Sequence, residues 1–126
     1  MRILIADDNE DAANTLRMLL EAYDHEVKTA PDGKAALELT DQWSPDVAVL
    51  DLRMPVLGGI EAGRVLKVRR PDILLFALTG ESTNEARRAA ADAGFDGYFE
   101  KGVAVSELLR TLEGATANRR STDEGS

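Results

Sequence analysis

Short, almost uniformly apolar runs recur along this chain, and each closes on a polar residue. Ile3-Leu4-Ile5-Ala6 stops at Asp7-Asp8, Val47-Ala48-Val49-Leu50 stops at Asp51, and Ile73-Leu74-Leu75-Phe76-Ala77-Leu78 stops at Thr79-Gly80. Runs this short, without polar alternation, read as strands covered on both faces, the mark of a parallel sheet. Met54-Pro55 behind Asp51 stops the third run, since proline cannot donate to a sheet ladder. Asp51 is therefore expected at the carboxyl end of a central strand, the edge at which open α/β sheets bind ligands.

Helical patterns fill the gaps. After the acidic stretch Asp7-Asp8-Asn9-Glu10-Asp11, where an Asp or Asn can cap a helix, Leu16, Leu19, Leu20 and Tyr23 mark one apolar face. Ala35, Ala36 and Leu39 mark a second helix behind the turn Pro31-Asp32-Gly33, and Ile60 to Val68 a third, with Gly63 inside it. Ala86, Ala89, Ala90 and Ala93 line a fourth that Gly94 ends. A last helix is expected from about Val103 to Glu113, with Val105, Leu108, Leu109 and Leu112 inward. Glu26–Ala30 reads as a charged edge strand and Asp96–Lys101 as a fifth strand.

Five βα units predict an α/β fold: a doubly wound (βα)5 three-layer sandwich with right-handed crossovers. The parallel sheet order 2-1-3-4-5 puts the charged strand at an edge and the switch point between the first and third strands. Residues 1–114 are expected to form one domain and residues 115–126 a disordered polar tail.

Composition excludes several chemistries. The 126 residues contain no cysteine, which removes disulfides, thiolate metal sites and thiol catalysis. The one histidine, His25, removes most histidine metal sites and reads as a surface turn residue. A net charge of −8 argues against nucleic acid as a partner of this domain. No apolar run is long enough to span a membrane, and the first residues already form a strand, so a cytoplasmic protein is expected.

The predicted topology brings Asp7, Asp8, Asp51, Thr79 and Lys101 to one sheet edge. Three carboxylates there repel strongly: unit charges ~4 Å apart interact by ~4 kcal/mol at an effective dielectric near 20. Lys101 supplies one counter-charge, and a hard divalent cation such as Mg²⁺ suits the rest of an all-oxygen set. An Asp held beside both is a competent nucleophile toward phosphorus.

With those residues in place, the sequence resembles the response-regulator receiver domains of two-component signalling, a flavodoxin-like fold, from Arg2 to about Glu113. The resemblance implies that Asp51 is the phosphoacceptor and that Asp7, Asp8, Asp51 and the backbone carbonyl of Arg53 hold Mg²⁺. It implies that Thr79 and Lys101 contact the phosphoryl group, and that Thr79 and Tyr98 form a switch in which the ring turns inward. The donor it implies is a phosphohistidine on a sensor histidine kinase or histidine phosphotransfer protein. The family usually has Lys-Pro where this chain has Lys101-Gly102, Asp-Gly where it has Gly58-Gly59, and an apolar residue at Glu100.

Further expectations attach to single residues. Arg53 and Glu81 are expected to pair at the mouth of the cleft and slow dephosphorylation. Ala12, Thr15 and Met18 are a candidate docking face for the donor. Trp43 is expected to pack a loop against the core, and Arg69-Arg70 and Arg87-Arg88 to be solvated. An aspartate-nucleophile phosphatase would carry a second Asp where Arg53 stands, a flavin binder would have a less acidic first loop, and a pseudo-receiver would lack the Asp51, Thr79 and Lys101 set.

Overall fold

The structure, a computed structural model, describes residues 1–80, 83–101 and 105–124, the side chains of Val105 and residues 116–124 excepted. Its elements alternate in chain order: β1 (Arg2–Ala6), α1 (Glu10–Glu21), β2 (Glu26–Ala30), α2 (Gly33–Trp43), β3 (Val47–Leu50), α3 (Gly59–Arg69), β4 (Leu74–Thr79), α4 (Asn84–Asp92), β5 (Gly97–Glu100) and α5 (Val105–Glu124). The strands form one sheet in the order β2-β1-β3-β4-β5, and every neighbouring pair is parallel. This is the doubly wound arrangement that the alternating runs predict.

Alternate residues of β1, β3 and β4 serve opposite cores, the two-residue period of a strand at work. Ile3, Ile5, Val47, Val49, Phe76 and Leu78 pack with Leu16 and Leu20 of α1 and Leu108 and Leu112 of α5. Leu4, Ala48, Leu50 and Leu75 pack on the other face with Ala36 of α2 and Ala62 and Leu66 of α3. Each fully buried Leu or Ile contributes roughly 1.5–3 kcal/mol relative to exposure. Side-chain caps start three of the helices: Asn9 accepts from the Ala12 N–H, Asp32 from Ala35 and Thr83 from Ala86. Gly63, anomalous in a helix by propensity, sits where a Cβ would lie 2.4 Å from the Phe95 ring.

Some expectations are corrected. α1 ends at Glu21, so Tyr23 lies in the turn beyond it and is 50% exposed, and Ala13 joins Leu16 and Leu20 on the buried face. His25 is buried, not a surface residue; its Nδ1 lies 3.2 Å from the Met1 amine and its Nε2 3.6 Å from the Glu113 carboxylate. α5 continues to Glu124, so most of the stretch expected to be a disordered tail has helical backbone. Residues 115–124 contain neither glycine nor proline, and their Ala and Arg residues favour helix. Trp43 is half-buried beside β1 and β2, with the Arg2 guanidinium 5.8 Å and the Lys28 ammonium 5.1 Å from its ring centroid. Among the described residues no helix is long and apolar enough to cross a membrane.

Candidate functional site

The sheet delivers its polar residues one step beyond the strand ends, and the ladder continues far enough to fix them. The Asp7 N–H donates to the Ala30 carbonyl at 3.0 Å, Asp51 to Ala6 at 2.9 Å and Lys101 to Thr79 at 2.9 Å. Each backbone is thus tied to the neighbouring strand before its side chain enters the cleft. Pinning of this kind limits the entropy lost when the side chains come together.

Lys101 joins the two buried acids. Its ammonium donates to Asp7 Oδ2 at 2.7 Å and to Asp51 Oδ2 at 2.9 Å. The remaining oxygens are also used: Asp7 Oδ1 accepts from the Asn9 N–H at 2.9 Å, and Asp51 Oδ1 from the Arg53 N–H at 3.2 Å. Asp7 and Asp51 are each 7% exposed, so these charge-assisted bonds offset a real desolvation cost. Burial pushes the Lys101 ammonium toward deprotonation, but its bonds to Asp7 and Asp51, and their charges, outweigh burial and hold its pKa above the ordinary lysine value.

Asp8, at the exposed end of the first loop, completes a triad. One carboxylate oxygen from each of Asp7, Asp8 and Asp51 lies within 4.8 Å of the others, close enough for a single cation to bridge them. Beside Asp51 a cavity of about 380 Å³ is bounded by Arg53, Thr79, Gly80 and Lys101. Another of about 390 Å³ runs from Asp7, Asp51 and Lys101 to Ala12, Thr15 and Leu16 of α1. Ala12 and Thr15 therefore line a depression that reaches the acids, whereas Met18 is 64% exposed.

Thr79 is completely buried at the end of β4. The β4–β5 register pairs Ala77 with Tyr98 and Thr79 with Glu100. Tyr98 thus shares a sheet face with Thr79, while Phe99 turns to the other face and packs edge-on against Phe76. Arg87 of α4, expected to be solvated, stacks over the Tyr98 ring with its guanidinium carbon 4.5 Å from the centroid. The pattern of α4 carried no signal for that contact, because Arg87 lies on its exposed side.

The cleft therefore brings together Asp7, Asp8, Asp51, Thr79 and Lys101, with Arg53 on its rim and Tyr98 on the adjacent strand. The Arg53–Glu81 pairing and the role of Gly102 lie outside the described residues. Sequence reasoning missed the part played by Gly59. A Cβ there would lie 2.2 Å from the Asp51 carbonyl oxygen, so the start of α3 presses directly on the backbone of the central acid.

Comparison with known proteins points to one family. Residues 3–113 match the model of the response regulator receiver domain family. The chain is 38% identical over 125 residues to the response regulator MprA of Mycobacterium sp. (strain KMS), covering 99% of this chain and 54% of that protein. It is 38% identical over 112 residues to MprA of Mycobacterium leprae (strain TN), covering 89% and 49%. The chain thus spans about half the length of these relatives. Among solved structures it is similar to the chemotaxis protein CheY4 of Vibrio cholerae, with a TM-score of 0.83, 27% identity and coverage of 89% and 95%. The N-terminal domain of an uncharacterized Wolinella succinogenes protein superimposes with a TM-score of 0.89, 27% identity and coverage of 97% and 98%.

Proposed function

The chain belongs to the response regulator receiver domains, and from that premise we propose that it takes a phosphoryl group from a phosphohistidine donor onto Asp51. The donor is a sensor histidine kinase or a histidine phosphotransfer protein, and the setting is the cytoplasm. Residues 1–114 form the acceptor domain. Its chemistry acts on itself alone, so it works as a switch and not as an enzyme with turnover of a separate substrate.

The observation that carries this reading is the double contact of Lys101 with Asp7 and Asp51. It puts a fixed cation beside the nucleophile and leaves Asp8 and the cavity at Arg53, Thr79 and Gly80 open toward the incoming group. The Asp51 carboxylate attacks phosphorus in line. The new O–P bond forms as the P–N bond to the donor imidazole breaks, and the imidazole nitrogen keeps the electron pair. Lys101 and the Thr79 hydroxyl then neutralise and hydrogen-bond the equatorial oxygens.

Asp7, Asp8, Asp51 and the Arg53 carbonyl supply an all-oxygen donor set that fits Mg²⁺, and the spacing of the three carboxylates supports that assignment. Bound there, Mg²⁺ supplies charge neutralisation for the transferring phosphoryl group. The surface of α4, β5 and α5 then changes and is read by a downstream protein. Incubation with acetyl phosphate, with and without Mg²⁺, tests the reading by mass spectrometry. One added phosphoryl group is expected on the wild type with Mg²⁺, and none on Asp51→Asn. No addition to the wild type, or equal addition to both, would sink it.

A further inference from the structure

Arg87 stands at an unfavourable place for a cation. It lies in the first turn of α4, where its own N–H makes the first bond back to the Thr83 carbonyl. The positive end of the helix dipole disfavours a guanidinium there. What compensates it is the Tyr98 ring, whose face it covers at 4.5 Å. Stacking of a planar guanidinium on an aromatic face is a favourable contact that lysine reproduces only in part. The ring belongs to β5, on the same sheet face as the buried Thr79.

We propose that Arg87 is a positioning residue for the switch: by stacking on Tyr98 it holds the ring against α4 in the unphosphorylated protein and opposes its turn toward Thr79. The inference rests on the reading of Thr79 and Tyr98 as the switch pair. A side chain that binds one of two states shifts the equilibrium by its differential free energy. A stack at an exposed site corresponds to about a two- to five-fold change in that equilibrium. Because an acyl phosphate or its mimic favours the inward ring, releasing Arg87 tightens binding of the mimic by the same factor.

The test compares wild type, Arg87→Ala, Arg87→Lys, Tyr98→Leu and the Arg87→Ala/Tyr98→Leu double variant. Beryllofluoride affinity is measured with Mg²⁺, and the proteins that keep Tyr98 are also examined by fluorine NMR after fluorotyrosine labelling. Tyr23, the other of the two tyrosines, serves as an internal reference. Arg87 is exposed on a helix, and alanine is the better helix former there, so the variant folds. Arg87→Ala should bind beryllofluoride about two- to five-fold more tightly, with Arg87→Lys intermediate. Before any ligand is added, its Tyr98 line should already lie partway to the saturated wild-type position. In the Tyr98→Leu background the Arg87→Ala gain should vanish. Equal affinities, a stationary Tyr98 line, or a gain that survives without the ring would each overturn the proposal. A wild type that binds no beryllofluoride would overturn it together with the phosphoacceptor reading, a result distinct from equal affinities.

Discussion

The Lys101 ammonium donates to Asp51 Oδ2 at 2.9 Å across fifty residues of sequence, while also holding Asp7 at 2.7 Å. That geometry makes Lys101 a competitor for any cation that needs the same two carboxylates. At an effective dielectric near 20, two unit charges ~4 Å apart interact by ~4 kcal/mol. Lys101→Met should therefore bind Mg²⁺ more tightly, by about tenfold once relaxation and water offset most of that figure, as measured by calorimetry. Once phosphorylated, the variant should fail to move Tyr98, since the phosphoryl group has lost its fixed cation. Unchanged Mg²⁺ affinity would show that the lysine and the metal do not share ligands.

The two perturbed bases predict opposite responses to pH. The pKa of Lys101 is held above its ordinary value, so its stabilisation is complete at and below neutral pH and is lost only in alkali, as the pH rises through that raised value. His25 is the reverse case. Burial is the larger cause and the Met1 ammonium the next, and together they lower its pKa despite the opposing pull of Glu113 and Asp24. Its contribution is complete above about pH 6.5, the unfolded value, and is lost as the pH falls through the lower folded value. Urea titrations of wild type and His25→Gln at several pH values should show the wild type losing more stability between neutral pH and pH 5. A constant difference between the two proteins would exclude His25 as the cause.

The fold was legible because the unbroken apolar runs at Ile3–Ala6, Val47–Leu50 and Ile73–Leu78 admit few alternatives to a buried parallel sheet, and sheet order then gathers the strand-end acids. What stayed hidden was set by partners distant in sequence. His25 reads as a turn residue until α5 brings Glu113 against it. Arg87 reads as solvated until β5 places Tyr98 beneath it. Gly63 reads as a weak point in a helix until Phe95 fills the space a side chain would need. Tyr23 keeps the helical spacing of Leu16 and Leu20, but the helix stops before reaching it. Periodicity reports which face is apolar, not which residue of another element meets it.

Gly58 offers a gain. It caps α3 with an extended backbone at φ −70° and no side-chain hydrogen bond to the first turn. A Cβ there meets only the Leu52 carbonyl oxygen at 3.6 Å, an ordinary contact. Gly58→Asp should therefore add a cap and a favourable charge at the helix start, worth a few tenths of a kcal/mol and about 1–3 °C in Tm. A drop in Tm, from repulsion by the nearby acids, would show that the site's charge outweighs the cap.

Gly59 and Gly63 separate stability from chemistry. At both, an added Cβ collides with a neighbour, and overpacking of this kind costs about 1–3 kcal/mol. The obstacles differ. Gly63→Ala presses on the Phe95 ring, far from the cleft, whereas Gly59→Ala presses on backbone: the Asp51 carbonyl oxygen at 2.2 Å and Leu52 Cα at 2.8 Å. Backbone there cannot give way without moving Asp51, whose N–H is bonded to Ala6. Both variants should therefore melt earlier, but only Gly59→Ala should also phosphorylate slowly below its melting range, by roughly 10- to 100-fold, because displacing a nucleophile by a fraction of an ångström spoils in-line attack. The rate with acetyl phosphate, compared at matched fractions of folded protein, decides it. Equal slowing in the two variants would mean that general loss of stability, not the placement of Asp51, sets the rate.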